Sequence, residues 1–144
     1  MRRLFAWLLQ HWSGKALRAS SSLGALGEQA AADYLRRSGY RIIGRGVRSG
    51  RGELDIVALD GQTIVIVEVK TQRAALGQHP AERVDARKQQ LLCRTAAQFL
   101  KRNGWLDHSI RFDVIAIIWP AGASSPNSLQ HFRGAFEMCD GLDV

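Results

Sequence analysis

Apolar residues recur along the chain with two different periods. Leu23, Leu26, Gly27, Ala30, Ala31, Tyr34 and Leu35 fall three or four apart, as on one face of an amphipathic helix, and Gly39 follows where such a helix ends. Arg41–Val47 reads as a strand, Gly50–Gly52 as a turn, and Glu53–Leu59 as an alternating strand. Asp60-Gly61 is a strong two-residue hairpin signal. The next strand, Gln62–Lys70, is apolar on both faces at its centre (Ile64, Val65, Ile66, Val67), so both faces of its sheet should be covered. Residues 73–82 read as loop. Val84, Leu91, Leu92, Thr95, Phe99 and Leu100 mark a long helix that ends near Gly104. Arg111–Trp119 is a strand rich in Ile and Val, Pro120–Asn127 a loop, and Leu129–Phe136 a last short strand.

The order is α-β-β-β-α-β with one further strand. Short turns make the first three strands antiparallel, and the helix between Lys70 and Arg111 is long enough to cross over to a parallel strand. The expected fold is therefore α/β, a mixed sheet flanked by helices. With 144 residues the chain holds one domain and needs no staples for its core. Two cysteines exclude a disulfide framework and a CxxC metal site, and Cys93 on the helix reads as a buried thiol. No apolar run approaches the roughly 20 residues of a membrane helix.

Charge changes the picture. The chain carries 20 Lys+Arg against 13 Asp+Glu, a net +7. That balance favours a polyanionic partner, nucleic acid before an anionic membrane. Arg2, Arg3, Lys15 and Arg18 lie in residues 1–22 without an acid, and Arg36, Arg37, Arg41, Arg45, Arg48 and Arg51 form a second acid-free cluster. Most of the cations are arginines, whose planar fork suits phosphate. Residues 1–22 read as a basic extension, amphipathic or disordered, ahead of a domain spanning 23–144. Its apolar stretch Leu4–Leu9 is too short for a signal peptide, and Ala19-Ser20-Ser21-Ser22 reads as a linker. Few cysteines and no export signal favour the cytoplasm.

The informative segment is Gly52-Glu53-Leu54-Asp55 with Val67-Glu68-Val69-Lys70. If Asp60-Gly61 is the loop, Glu53 stands opposite Glu68, and Asp55 is its diagonal neighbour. Glu53, Asp55, Glu68 and Lys70 then project to one side. Like charges gathered this way destabilise a sheet unless a cation sits among them, and hard oxygen ligands suit Mg²⁺ or Mn²⁺. Exposed strand ends paired with arginines are the plainer explanation. Three acids and a lysine converging on one hairpin favour a site. Glu28 and Lys88 lie in the apolar stripes of the two helices and add a carboxylate and a cation facing the sheet, though each could also snorkel. The four histidines show no metal spacing. Asp113 reads as a strand-end ion pair before a helper of the site.

At these residues the chain resembles the YraN family. G-E-L-D-I-V-A and V-I-V-E-V-K, preceded by G-E-Q-A-A-A-D-Y-L-R-R-S-G-Y and followed by R-F-D-V-I-A-I, carry the likeness over about Leu23 to Glu137. Those small bacterial proteins are similar to the restriction-endonuclease-like superfamily and its Holliday-junction resolvases. The resemblance implies an αβββαβ core with a D…(D/E)-x-K motif, in which Asp55 and Glu68 hold the metal and Lys70 completes the pair. Glu28 resembles the helical Glu of resolvase-type members, which implies a third metal-site acid that holds the ion through water or positions a second one. Arg45-Gly46 stands where the family commonly has Arg-Asn.

The implied activity is a metal-dependent endonuclease hydrolysing nucleic-acid phosphodiester bonds, on branched or structured DNA. Asp55, Glu68, Glu28 and Lys70 form its catalytic set, and Mg²⁺ or Mn²⁺ its cofactor. Arg45, Arg48, Arg51 and Lys88 are expected to contact nucleic acid, and Glu53 to stand behind the ligands. A homodimer is also implied, with no seam visible in the sequence. The rival reading is a non-catalytic nucleic-acid-binding protein that retains the fold.

Overall fold

The computed structural model describes residues 22–73 and 84–141, and the expectations for residues 1–21 and for most of the 73–82 loop lie outside them. Two helices and five strands follow in the order α1 (Leu23–Arg37), β1 (Arg41–Ser49), β2 (Gly52–Asp60), β3 (Thr63–Gln72), α2 (Ala86–Asn103), β4 (Ile110–Ile118) and β5 (Ser128–Phe136). Ser22, expected in a linker, instead caps α1: its hydroxyl accepts the Ala25 N–H at 3.2 Å. Asp85 caps α2 by accepting the Lys88 N–H at 2.8 Å, and Gly104 closes that helix.

The strands form one sheet in the order β1-β2-β3-β4-β5. All neighbours are antiparallel except β3 and β4, which α2 joins as a parallel pair. The apolar run in β3 explains the layering. Ile64 and Ile66 face α2 and pack with Leu92, Ala96, Phe99, Phe112 and Val114. Val65 and Val67 face α1 and pack with Ala31, Ala32, Leu35, Ile115 and Ile117. Burying each such side chain stabilises the fold by about 1.5–3 kcal/mol, so neither helix can leave the sheet cheaply.

The hairpin register differs from the expected one. The loop is Gly61-Gln62, so Asp60 pairs with Thr63 and Ile56 with Val67. Gly61 has φ 60 and Gln62 has no positive φ, which fits a turn with glycine first in its central pair. Asp60 stays in the strand because its carboxylate is held by Arg111 at 2.9 Å and Arg133 at 2.7 Å. The shift moves each strand by a whole residue pair, so the faces assigned to Asp55 and Glu68 survive. Their relation changes: the register, continued, sets Asp55 opposite Glu68, and Glu53 opposite Lys70.

Two glycines serve the site. Gly27 of α1 lies against Thr71 of β3, where any Cβ would overlap the threonine side chain. That close approach brings Glu28 to the end of β3. Gly46 has φ 56, between the paired residues Arg45 with Ile56 and Val47 with Leu54. Asparagine is the other residue that tolerates this conformation, so the departure from Arg-Asn keeps the backbone it would require.

Candidate active site

β2 and β3 share a ladder from Asp60 and Thr63 as far as Ile56 and Val67. Beyond that point β2 continues alongside β1 down to Gly52, and β3 alongside β4 up to Gln72. The sheet therefore opens between them. Asp55 fills the opening: its Oδ2 accepts the Val69 N–H at 2.9 Å, a donor without a β2 carbonyl to meet. Glu68, one residue earlier on β3, is near enough for its charge to act on Asp55.

The Glu68 side chain is only 5% exposed. Its Oε1 receives two ammonium groups, Lys70 Nζ at 3.2 Å from the same strand and Lys88 Nζ at 3.5 Å from α2. Its Oε2 is buried without a hydrogen-bond partner. An unpartnered buried acceptor costs about 1–3 kcal/mol, and more when charged, so such an atom calls for a ligand. Burial, and then the charge of Glu68, pushes the Asp55 carboxyl up from 3.8 to about 7, although the Val69 N–H favours the anion. Glu28 adds to that displacement. Its own carboxyl is raised by burial, which outweighs the pull of Arg45, and also by Glu53 and Glu68.

This donor set fits a hard divalent cation. The charge of Glu68 opposes ionisation of Asp55, one oxygen lacks a partner, and Mg²⁺ commonly takes one or two carboxylates and keeps several waters. Among the described residues no three His, Cys, Asp or Glu side chains are grouped to hold an ion. Asp55 and Glu68 could hold an ion directly. Glu28 on α1 acts on Asp55 through its charge.

The remaining expected residues are distributed otherwise. Glu53 does not join the carboxylates; it turns to Arg48 at 3.2 Å. Arg45 donates to Gln29 Oε1 at 3.0 Å, and Arg51 lies exposed in the β1–β2 turn. Arg48 and Arg51 line a cleft of 260 Å³ with Gly50, Gly52 and Glu53, outside the carboxylate pair. Lys88, expected to meet nucleic acid, faces Glu68.

Two features escaped the sequence reading. Asp113, expected in a strand-end ion pair, does pair with Arg111, but its side chain has no exposed surface and its partners extend to β5. It accepts from Arg111 at 2.8 and 3.0 Å, from the Gly134 N–H at 2.9 Å, and pairs with His131 Nε2 at 2.7 Å. Burial raises its pKa, but the bonds from His131, Arg111 and Gly134 prevail and hold it at about 2. His131 Nδ1 in turn lies 3.2 Å from the Tyr34 hydroxyl of α1. The alternation Arg111-Phe112-Asp113 on one strand and His131-Phe132-Arg133 on the next was the available signal. Secondly, Cys93 is not a free thiol. It forms a disulfide with Cys139, because β5 returns antiparallel to β4 and carries the following segment over α2.

No helix among the described residues is long and apolar enough to cross a membrane. The model of the uncharacterised protein family UPF0102 matches residues 27–117. A UPF0102 protein of Rhodopirellula baltica is 39% identical over 93% of this chain and 81% of its own. One from Geobacter sulfurreducens is 44% identical over 87% and 96%, and one from Symbiobacterium thermophilum is 48% identical over 68% and 83%.

Proposed function

The chain belongs to the uncharacterised protein family UPF0102, and from its site we propose that it is a divalent-metal-dependent nuclease that hydrolyses nucleic-acid phosphodiester bonds. One observation carries the reading: the unpartnered, buried Glu68 Oε2 beside Asp55, in the opening between β2 and β3. Asp55 and Glu68 would hold Mg²⁺ or Mn²⁺, with Glu28 acting through an intervening water. Bound there, the ion supplies Lewis-acid polarisation of the phosphodiester and a more acidic water.

The side chains divide the remaining work. The Val69 N–H fixes Asp55 and so orients its carboxylate. Lys70, two residues beyond Glu68 on the same face, is 33% exposed and therefore reaches substrate. Its ammonium orients the attacking water or stabilises charge on the phosphoryl oxygens. Arg45, Arg48 and Arg51 lie on β1 and its turn and contact backbone phosphates. Such contacts position a strand without reading its sequence. Branched and structured DNA are the first substrates to try, by the resemblance of the motif series to resolvase-type proteins.

The test is a cleavage panel of branched, flapped, duplex and single-stranded DNA and RNA with Mg²⁺, Mn²⁺ or EDTA, run beside Asp55→Ala and Lys70→Ala. Metal-dependent cleavage that both variants lose supports the reading. Metal-independent nucleic-acid binding without cleavage of any substrate would replace it with a binding role.

A further inference from the structure

Glu68 is served by two lysines whose origins differ. Lys70 follows it by two residues in β3, so the strand's own period places the pair together. Lys88 comes from the first turn of α2, at the positive end of the helix dipole, where the capping Asp85 carboxylate is engaged by the Lys88 backbone N–H. The Lys88 ammonium reaches across to Glu68 Oε1 at 3.5 Å.

The charge balance indicates what happens when an ion enters. Asp55, Glu68 and the neighbouring Glu28 set three carboxyls against the two ammonium groups. Even with all three ionised, a divalent cation added to them leaves an excess of positive charge around the buried Glu68. Lys70 is tied to the strand, whereas Lys88 is 37% exposed and reaches in from another element by a flexible stem.

We propose that Lys88 is an exchangeable counter-ion of the metal position: it occupies Glu68 before loading, is displaced by the divalent ion, and then pairs with a substrate phosphate. The inference rests on the metal-dependent reading above and adds linkage to it. Metal entry frees a cation for nucleic acid, so each ligand tightens the other.

The experiment compares the full chain with Lys88→Met, Lys88→Arg and Asp55→Asn, using thermal melts to confirm folding. Mn²⁺ is titrated and followed by electron paramagnetic resonance. Loss of a positive charge a few ångströms from the ion should tighten Mn²⁺ binding roughly tenfold in Lys88→Met. Lys88→Arg should stay within about twofold of the parent, since it keeps the charge. A phosphorothioate oligonucleotide, read by fluorescence anisotropy, should bind more tightly with Mn²⁺ to the parent and to Lys88→Arg. That gain should be lost in Lys88→Met. Unchanged or weaker Mn²⁺ binding by Lys88→Met, or a retained metal-linked gain, overturns the exchange while the nuclease reading stands. Failure of both the parent and Lys88→Met to bind Mn²⁺ removes the nuclease reading, and the exchange with it.

Discussion

Asp55→Asn should stabilise the metal-free protein at neutral and alkaline pH, although it removes a residue assigned to the site. Asp55 ionises near 3.8 when unfolded and at about 7 when folded. A raised acid favours folding fully below its unfolded pKa, and that contribution is lost as pH rises through the folded value. The window is therefore pH 4 to 7. The whole displacement corresponds to about 4 kcal/mol at 1.36 kcal/mol per unit, and partial exposure of the carboxyl reduces it toward about 2 kcal/mol. Asparagine keeps the acceptor for the Val69 N–H and carries no charge, so Asp55→Asn should lack this decline.

Urea denaturation in EDTA at pH 5, 6, 7 and 8 measures it. The difference between the two proteins cancels other titrating groups; Asp113, held at about 2, stays ionised throughout. Asn should gain on Asp by about 1–2.5 kcal/mol between pH 5 and 8, because the part of the decline below pH 5 lies outside the range. Mn²⁺ at 100 times its Kd should return about 2.7 kcal/mol to the parent and little to the variant. A parent whose stability rises across this range relative to Asp55→Asn would refute the claim that burial and Glu68 oppose the Asp55 charge.

Other consequences lie away from the carboxylates. Asp113→Asn should destabilise the protein by about 1.5–3 kcal/mol at pH 7 by taking a charged acceptor from the half-buried Arg111, read by urea denaturation; a loss below about 1 kcal/mol would show the network to be dispensable. Acidification should release about 2 kcal/mol between pH 4 and 2, because a depressed carboxyl contributes fully above its unfolded pKa and loses that contribution as pH falls through the folded one; circular dichroism during acid titration follows it. Reduction of the Cys93–Cys139 bridge, which spans 46 residues, should lower stability by about 2–4 kcal/mol, visible as a fall in Tm with reductant. An unchanged Tm would mean that packing alone holds the C-terminal segment on α2. Arg48→Gln with Arg51→Gln should weaken nucleic-acid binding and lower the salt slope by about two, checked by anisotropy across a salt series; an unchanged slope removes both from the interface.

The layered fold was legible because its signals are local. The Ile64–Val67 run, apolar on both faces, demands a helix above and below, and the long segment before Ile110 can supply only a crossover. Glu68 and Lys70 were placed together for the same reason, by the period of one strand. The exact pairing of Asp55 was not legible. It depends on Asp60 remaining in β2, and the residues that hold Asp60, Arg111 and Arg133, lie 51 and 73 positions away. The ion pair of Asp113 was legible and Arg111 supplies it; its burial was not, because His131 and Gly134 come from β5, whose position no local pattern specifies. The disulfide likewise follows from where β5 returns and not from cysteine spacing. The Lys88–Glu68 contact was half visible, since the helical stripe pointed Lys88 at the sheet without naming its partner.

Crystals grown with Mn²⁺ and measured at its absorption edge test the central claim most directly. The account predicts an anomalous peak bonded to Asp55 and to the second oxygen of Glu68, absent when Asp55 is replaced by Asn. A map with no peak there, or with manganese bound only at other residues, would contradict it.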